Sequence, residues 1–98
     1  MRVQIRPLAM ELTKAQRIRL EGNLKRALAR VSGRIDRVRV EISEGEGEGV
    51  TRCRIEVHMK AQILEVDYSD VDLYSTVEHA AQRIARSVSR ALEGLLPG

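Results

Sequence analysis

Apolar and polar residues alternate with a period of two along four stretches of this chain, and recur with a period near 3.6 along two others. In residues 2–6, RVQIR, Val3 and Ile5 share one side, which predicts a short strand that Pro7 ends or marks as an edge. Residues 35–43, IDRVRVEIS, alternate strictly after Arg37, with Val38, Val40 and Ile42 inward and Arg37, Arg39 and Glu41 outward. Residues 51–59, TRCRIEVHM, repeat the pattern with Cys53, Ile55, Val57 and Met59 inward. A tight turn near Lys60 to Gln62 leads to ILEVDY, residues 63–68, where Leu64, Val66 and Tyr68 share a face. Between the second and third of these strands, GEGEG at residues 45–49 predicts a flexible connection.

The helical periods carry their own start and stop signals. Thr13 followed three residues later by Gln16 forms a capping box. Leu20, Leu24, Ala27, Leu28 and Val31 then fall on one face, while Lys14, Arg19, Lys25, Arg26 and Arg30 spread over the other. Gly22 weakens this helix by about 1 kcal/mol relative to Ala. Ser32-Gly33 supplies the stop, with Gly33 able to adopt the left-handed conformation. Asp70 or Asp72 caps a second helix that runs to about Leu92 and ends near Gly94, with Leu73, Val77, Ala81, Ile84 and Val88 as its apolar stripe. Pro97 and Gly98 close the chain, which predicts one domain over residues 1–98 with no tail.

The resulting order is β-α-β-β-β-α. A right-handed crossover makes the first two strands parallel, and the remaining strands form an antiparallel meander. Because every strand alternates, one sheet face is wet and both helices cover the other. The expected class is α+β, two layers, with a four-stranded mixed sheet and two helices on one face.

Composition narrows the function. Two tyrosines with no Phe and no Trp leave no platform for stacking unpaired bases. The net charge is +3, but Glu44, Glu46 and Glu48 are gathered at one connection, so the body of the chain is more basic than the total suggests. That distribution suits a polyanionic partner. No apolar run reaches membrane-span length, and the N-terminus lacks the apolar core of a signal peptide, so a cytoplasmic location is the expectation. Cys53 is the single cysteine and has no internal disulfide partner.

Catalytic and cofactor signatures are missing. The GEGEG run has no lysine and lacks a strand-to-helix setting, and its acids would repel phosphate. His58, His79 and Cys53 do not assemble a metal set, and no base accompanies Cys53 in a nucleophile motif. The sequence therefore predicts a non-enzyme with no cofactor, no small-molecule substrate and no membrane partner.

One feature calls for a ligand. His79, Arg83, Arg86 and Arg90 fall within about 60° of one another on the last helix, nearly opposite its apolar stripe. Like charges at these spacings cost a few tenths of a kcal/mol per pair, and a merely solvated helix face usually mixes signs. Guanidinium groups grip phosphate oxygens in bidentate fashion, so a phosphate backbone is the expected partner. If the first helix lies beside the last, Lys25 and Arg26 extend the row.

Several short motifs in consistent order give this chain a family resemblance. Val3-Gln4-Ile5, Glu11-Leu12-Thr13 with Ala15 and Arg17, Val57-His58-Met59 and Asp72-Leu73-Tyr74 together resemble the ribosome hibernation-promoting factor family, also called ribosome-associated inhibitors or sigma-factor modulation proteins. Asp72-Leu73-Tyr74 looks like the family's Asp-Met-Tyr opening of the last helix. The resemblance implies a fold similar to double-stranded-RNA-binding domains. It implies binding to the small ribosomal subunit in the mRNA and tRNA channel, with translation blocked and idle ribosomes protected. It places the family's basic rRNA-facing positions on Arg83, Arg86, Arg90 and Arg26, and implies the short form of the family. The chain departs from the family pattern at Gly22-Asn23, at Ala61-Gln62 and at Arg19, where the family has lysines, glycines and an aromatic respectively. The alternative function is a protein-interaction module acting on a transcription factor or other protein.

Overall fold

Strands β1 (Arg2–Pro7), β2 (Ile35–Glu44), β3 (Thr51–Met59) and β4 (Ile63–Asp70) lie side by side in that order. The coordinates are a computed structural model that describes residues 1–94, so the expectations for Pro97 and Gly98 lie outside the described residues. β1 pairs with β2 in parallel, and the β2–β3 and β3–β4 pairs are antiparallel. Helix α1 (Lys14–Ala27) connects β1 to β2, and helix α2 (Leu73–Glu93) follows β4.

The period-two pattern translates directly into the core. Val38, Val40, Ile42, Cys53, Ile55 and Val57 from the two central strands are buried, with Ile5 of β1 beside them. Val3, Leu64, Val66 and Tyr68 of the edge strands pack against that cluster but stay partly exposed. The helices close the layer with Leu20, Leu24 and Leu28 from the α1 side and Val77, Ala80, Ala81, Ile84 and Val88 from α2. One register shift interrupts the alternation, between Ile35 and Arg37. The extra residue at Asp36 lets Ile35 and Val38 both turn inward although they are three apart.

Thr13 caps α1 as a full capping box: the Gln16 N–H donates to Thr13 Oγ1 at 3.0 Å, and the Thr13 N–H donates to Gln16 Oε1 at 2.9 Å. The C-terminal end differs from the sequence expectation. α1 stops at Ala27, and residues Ala29–Arg34 continue as a 3-10 helix. Gly33 does not supply a left-handed stop, since the positive-φ glycines are Gly47 and Gly49. The tighter coil ends instead as Ile35 enters β2, its N–H donating to the Ser32 carbonyl. Gly47 (φ 98°) and Gly49 (φ 74°) sit in the β2–β3 connection, which closes through a 2.8 Å bond from the Gly45 N–H to the Val50 carbonyl. An L side chain at either glycine would be strained.

Two outcomes follow from this core. Ile55→Ala, in the center of β3, should lower unfolding stability by about 2–5 kcal/mol, measured by urea denaturation. Burial pushes the Cys53 thiol up to about 12, with the Asp67 charge adding to the effect. The thiol therefore stays protonated at neutral pH and should react with a thiol reagent only in denaturant.

Candidate nucleic-acid interface

The position of α2 is set at its first turn. Asp72 is the N-cap, accepting the Ser75 N–H at 2.8 Å, while Asp70 accepts the Val71 N–H at 2.7 Å from the end of β4. Thr76 is fully buried, and its hydroxyl donates to the Asp72 carbonyl at 2.5 Å. A second tie comes from α1: the Arg19 guanidinium carbon sits 3.8 Å from the center of the Tyr74 ring. This cation–π contact joins the two helices. It pairs one of the departures from the family pattern with the tyrosine of the Asp72-Leu73-Tyr74 motif.

With its apolar stripe turned down, α2 holds Arg83, Arg86 and Arg90 exposed. The three span the top of the helix and its β4 flank. A groove of about 380 Å³ on that flank is lined by Glu65, Asp67, Arg83, Arg86, Ser87 and Arg90. Its two acids are already engaged. Arg52 Nε donates to Asp67 Oδ1 at 2.9 Å, and Arg54 Nε donates to Glu65 Oε1 at 3.0 Å. The Arg52 hydrogen bond holds the Asp67 carboxyl below its ordinary value. Among the described residues, Arg83, Arg86 and Arg90 form no ion pair.

The α1 flank of α2 is different. A second groove of about 380 Å³ has an apolar floor from Ala27, Val31 and Ala85, and its rim carries Arg30, Arg86, Arg90 and Glu93. Arg30 was not among the site residues expected from sequence. It joins the row because the 3-10 turn after α1 brings it beside α2; the only sequence signal was its basic character next to Val31. Arg26 lies in an adjoining groove with Asn23, Ala27, Glu78 and Gln82, and its guanidinium donates to Asn23 Oδ1. Glu78 thus puts a carboxylate in the groove that Arg26 lines. Lys25 is exposed but lines neither of these grooves.

His79 occupies the N-terminal end of the row. Its ring center lies 5.5 Å from that of Tyr68, and its Nδ1 is 3.9 Å from Asp70 Oδ2. Arg83 also leans toward Tyr68, at 5.8 Å from the ring center. Among the described residues, no group of three or more His, Cys, Asp or Glu could hold a metal, and no helix is long and apolar enough to cross a membrane.

A family model described as sigma 54 modulation protein / S30EA ribosomal protein matches residues 3–95. The fold is similar to that of a ribosomal subunit interface protein from Coxiella burnetii, with a TM-score of 0.84 at 15% identity, covering 95% of this chain and 99% of that one. It is also similar to the N-terminal domain of Protein Y from Thermus thermophilus, with a TM-score of 0.74 at 26% identity, covering 92% of this chain and 98% of that one. None of the curated proteins matches the sequence.

The cap that positions the row titrates. The Ser75 N–H holds the Asp72 carboxyl below its ordinary value. A lowered folded-state value means that its stabilization is present above the unfolded value, about 3.9, and is lost as pH falls through the folded one. Asp72→Asn keeps a capping oxygen without the charge. Its melting temperature should therefore fall less than the parent's between pH 5 and pH 2, as read by circular dichroism.

Proposed function

Since the chain belongs to the sigma 54 modulation protein / S30EA ribosomal protein family, we propose that it binds the small ribosomal subunit and blocks translation by occupying the mRNA and tRNA channel. It acts by binding, without catalysis. The observation that carries this reading is the arginine row on α2, Arg83, Arg86 and Arg90, unpaired among the described residues, with Arg30 alongside across an open groove.

The chemistry suits rRNA backbone. Exposed guanidinium groups bind phosphate oxygens through charge-assisted, bidentate hydrogen bonds. Such contacts position a protein on folded RNA and read its shape more than its sequence. Among the described residues, no aromatic side chain lines the two grooves beside the row, so bases are not the primary target. Arg26 contributes less than the row because Glu78 shares its groove. Lys25 and His79 sit at the margins. Occlusion needs a rigid body, and the single core shared by sheet and helices provides one.

Co-sedimentation with purified small subunits over a salt series tests the reading. Binding should weaken as salt rises, with a log–log slope of about −0.7 to −0.9 per phosphate neutralized. Arg86→Ala should weaken binding about tenfold, equivalent to about 1.4 kcal/mol. Reversing Arg83, Arg86 and Arg90 to Glu should abolish binding while leaving the circular dichroism spectrum unchanged. Full binding by the folded triple variant would overturn the assignment.

A further inference from the structure

The open face of the sheet, opposite the helices, divides into two electrostatic halves. Over β3 and β4 the charges cancel through Arg52–Asp67, Arg54–Glu65 and a longer Arg54–Glu41 contact of 3.8 Å. Over β1 and the first half of β2 they do not, while Arg39 shares a small depression with Glu41, Arg54 and Glu56 where β2 meets β3. Arg2 lies directly beside Arg37, and Arg39 lies beside Gln4, in the parallel register. On the other side Arg37 neighbors His58, and Arg39 neighbors Glu56. The Glu56 carboxylate is engaged by His58 Nε2 at 2.9 Å. Asp36 precedes the patch at the register shift, and Arg6 extends it toward Glu41. Among the described residues, Arg2, Arg37 and Arg39 form no ion pair. Like charges placed directly across a strand pair destabilize a sheet, so in the free protein this half of the face stands against its own stability.

We propose that Arg2, Arg37 and Arg39 form a second phosphate-binding surface that takes an RNA backbone, so that the domain holds RNA on both of its faces. The inference rests on residues outside the α2 row and does not depend on that row's role. Arg37 and Arg39 project from the same side of one strand, about 6.6 Å apart, and Arg2 stands about 4.8 Å away on the next strand. Three guanidinium forks at that spacing can reach neighboring phosphates of one backbone. The patch has no aromatic and no large apolar side chain. Ile63 is exposed on the same face but lies on β4, two strands from β2. A protein partner would need an apolar center to bury, whereas a phosphate backbone needs only the forks and the Gln4 amide.

The test uses a labeled RNA duplex one helical turn long, too short to reach around the domain, titrated at low salt with stoichiometry read by analytical ultracentrifugation. The full chain should bind two duplexes. A variant with Arg2, Arg37 and Arg39 all changed to Gln should bind one, with a shallower salt slope and a melting temperature equal to or above the parent's, because removing the like-charge pair relieves the sheet. The variant with Arg83, Arg86 and Arg90 changed to Glu should also bind one, through the sheet face. A glutamine variant that binds as many duplexes as the parent overturns the proposal. So does a poly-glutamate peptide that displaces the second duplex at lower concentration than free RNA does, since the occupant would then be an acidic protein segment. Two duplexes retained by the α2 variant would count against the α2 row alone and leave the sheet surface standing.

Discussion

Because all four strands alternate, the sheet has one apolar face, and α2 is the element that covers its β3 and β4 side. That requirement fixes the helix about its own axis. With Val77, Ala81, Ile84 and Val88 committed to the core, the residues on the far side of the wheel have no freedom to turn away. Arg83, Arg86 and Arg90 point outward because the buried positions between them point inward. Packing therefore orients the arginine row, and no salt bridge is needed to hold it.

The two flanks of α2 then acquire different characters from what lies beside them. On the β4 flank the nearby acids are drawn into cross-strand pairs with Arg52 and Arg54, so they do not neutralize the row. On the α1 flank Glu78, Gln82 and Glu93 mix with basic residues. Only toward the C-terminal end, where Arg30 approaches, does positive character cross from one helical element to the other. The basic surface is thus concentrated at one end of the helix layer instead of spread evenly over both helices.

Much of this was legible in the sequence, for physical reasons. Period-two alternation reports directly on a sheet with one wet face, and the Thr13–Gln16 spacing reports on a cap whose two bonds are both local. The α2 row needed only helical geometry. What could not be read depends on contacts between elements. Leu28 and Val31 continue the helical period, so the period does not mark where α1 gives way to the 3-10 helix. Arg30 was missed as a partner of the row for the same reason. Arg26 looked like an extension of the row because nothing in the sequence shows that Glu78 lies across from it. The Arg19–Tyr74 contact joins residues distant in the chain, and spacing says nothing about such a pair. The unpaired half of the open sheet face likewise emerges only when the parallel register sets Arg2 beside Arg37.

An open four-stranded sheet leaves two edge strands whose outward backbone groups could pair with another chain. Both edges here carry side chains that discourage it. β1 places Arg2, Arg6 and Pro7 along its length, and β4 alternates Glu65 and Asp67 with its inward residues. β1 presents charged Arg2 and Arg6 along that edge, and Pro7 offers no N–H to an added strand. The same charges that shape the sheet face thus guard against edge-to-edge aggregation when many copies of the domain are crowded together.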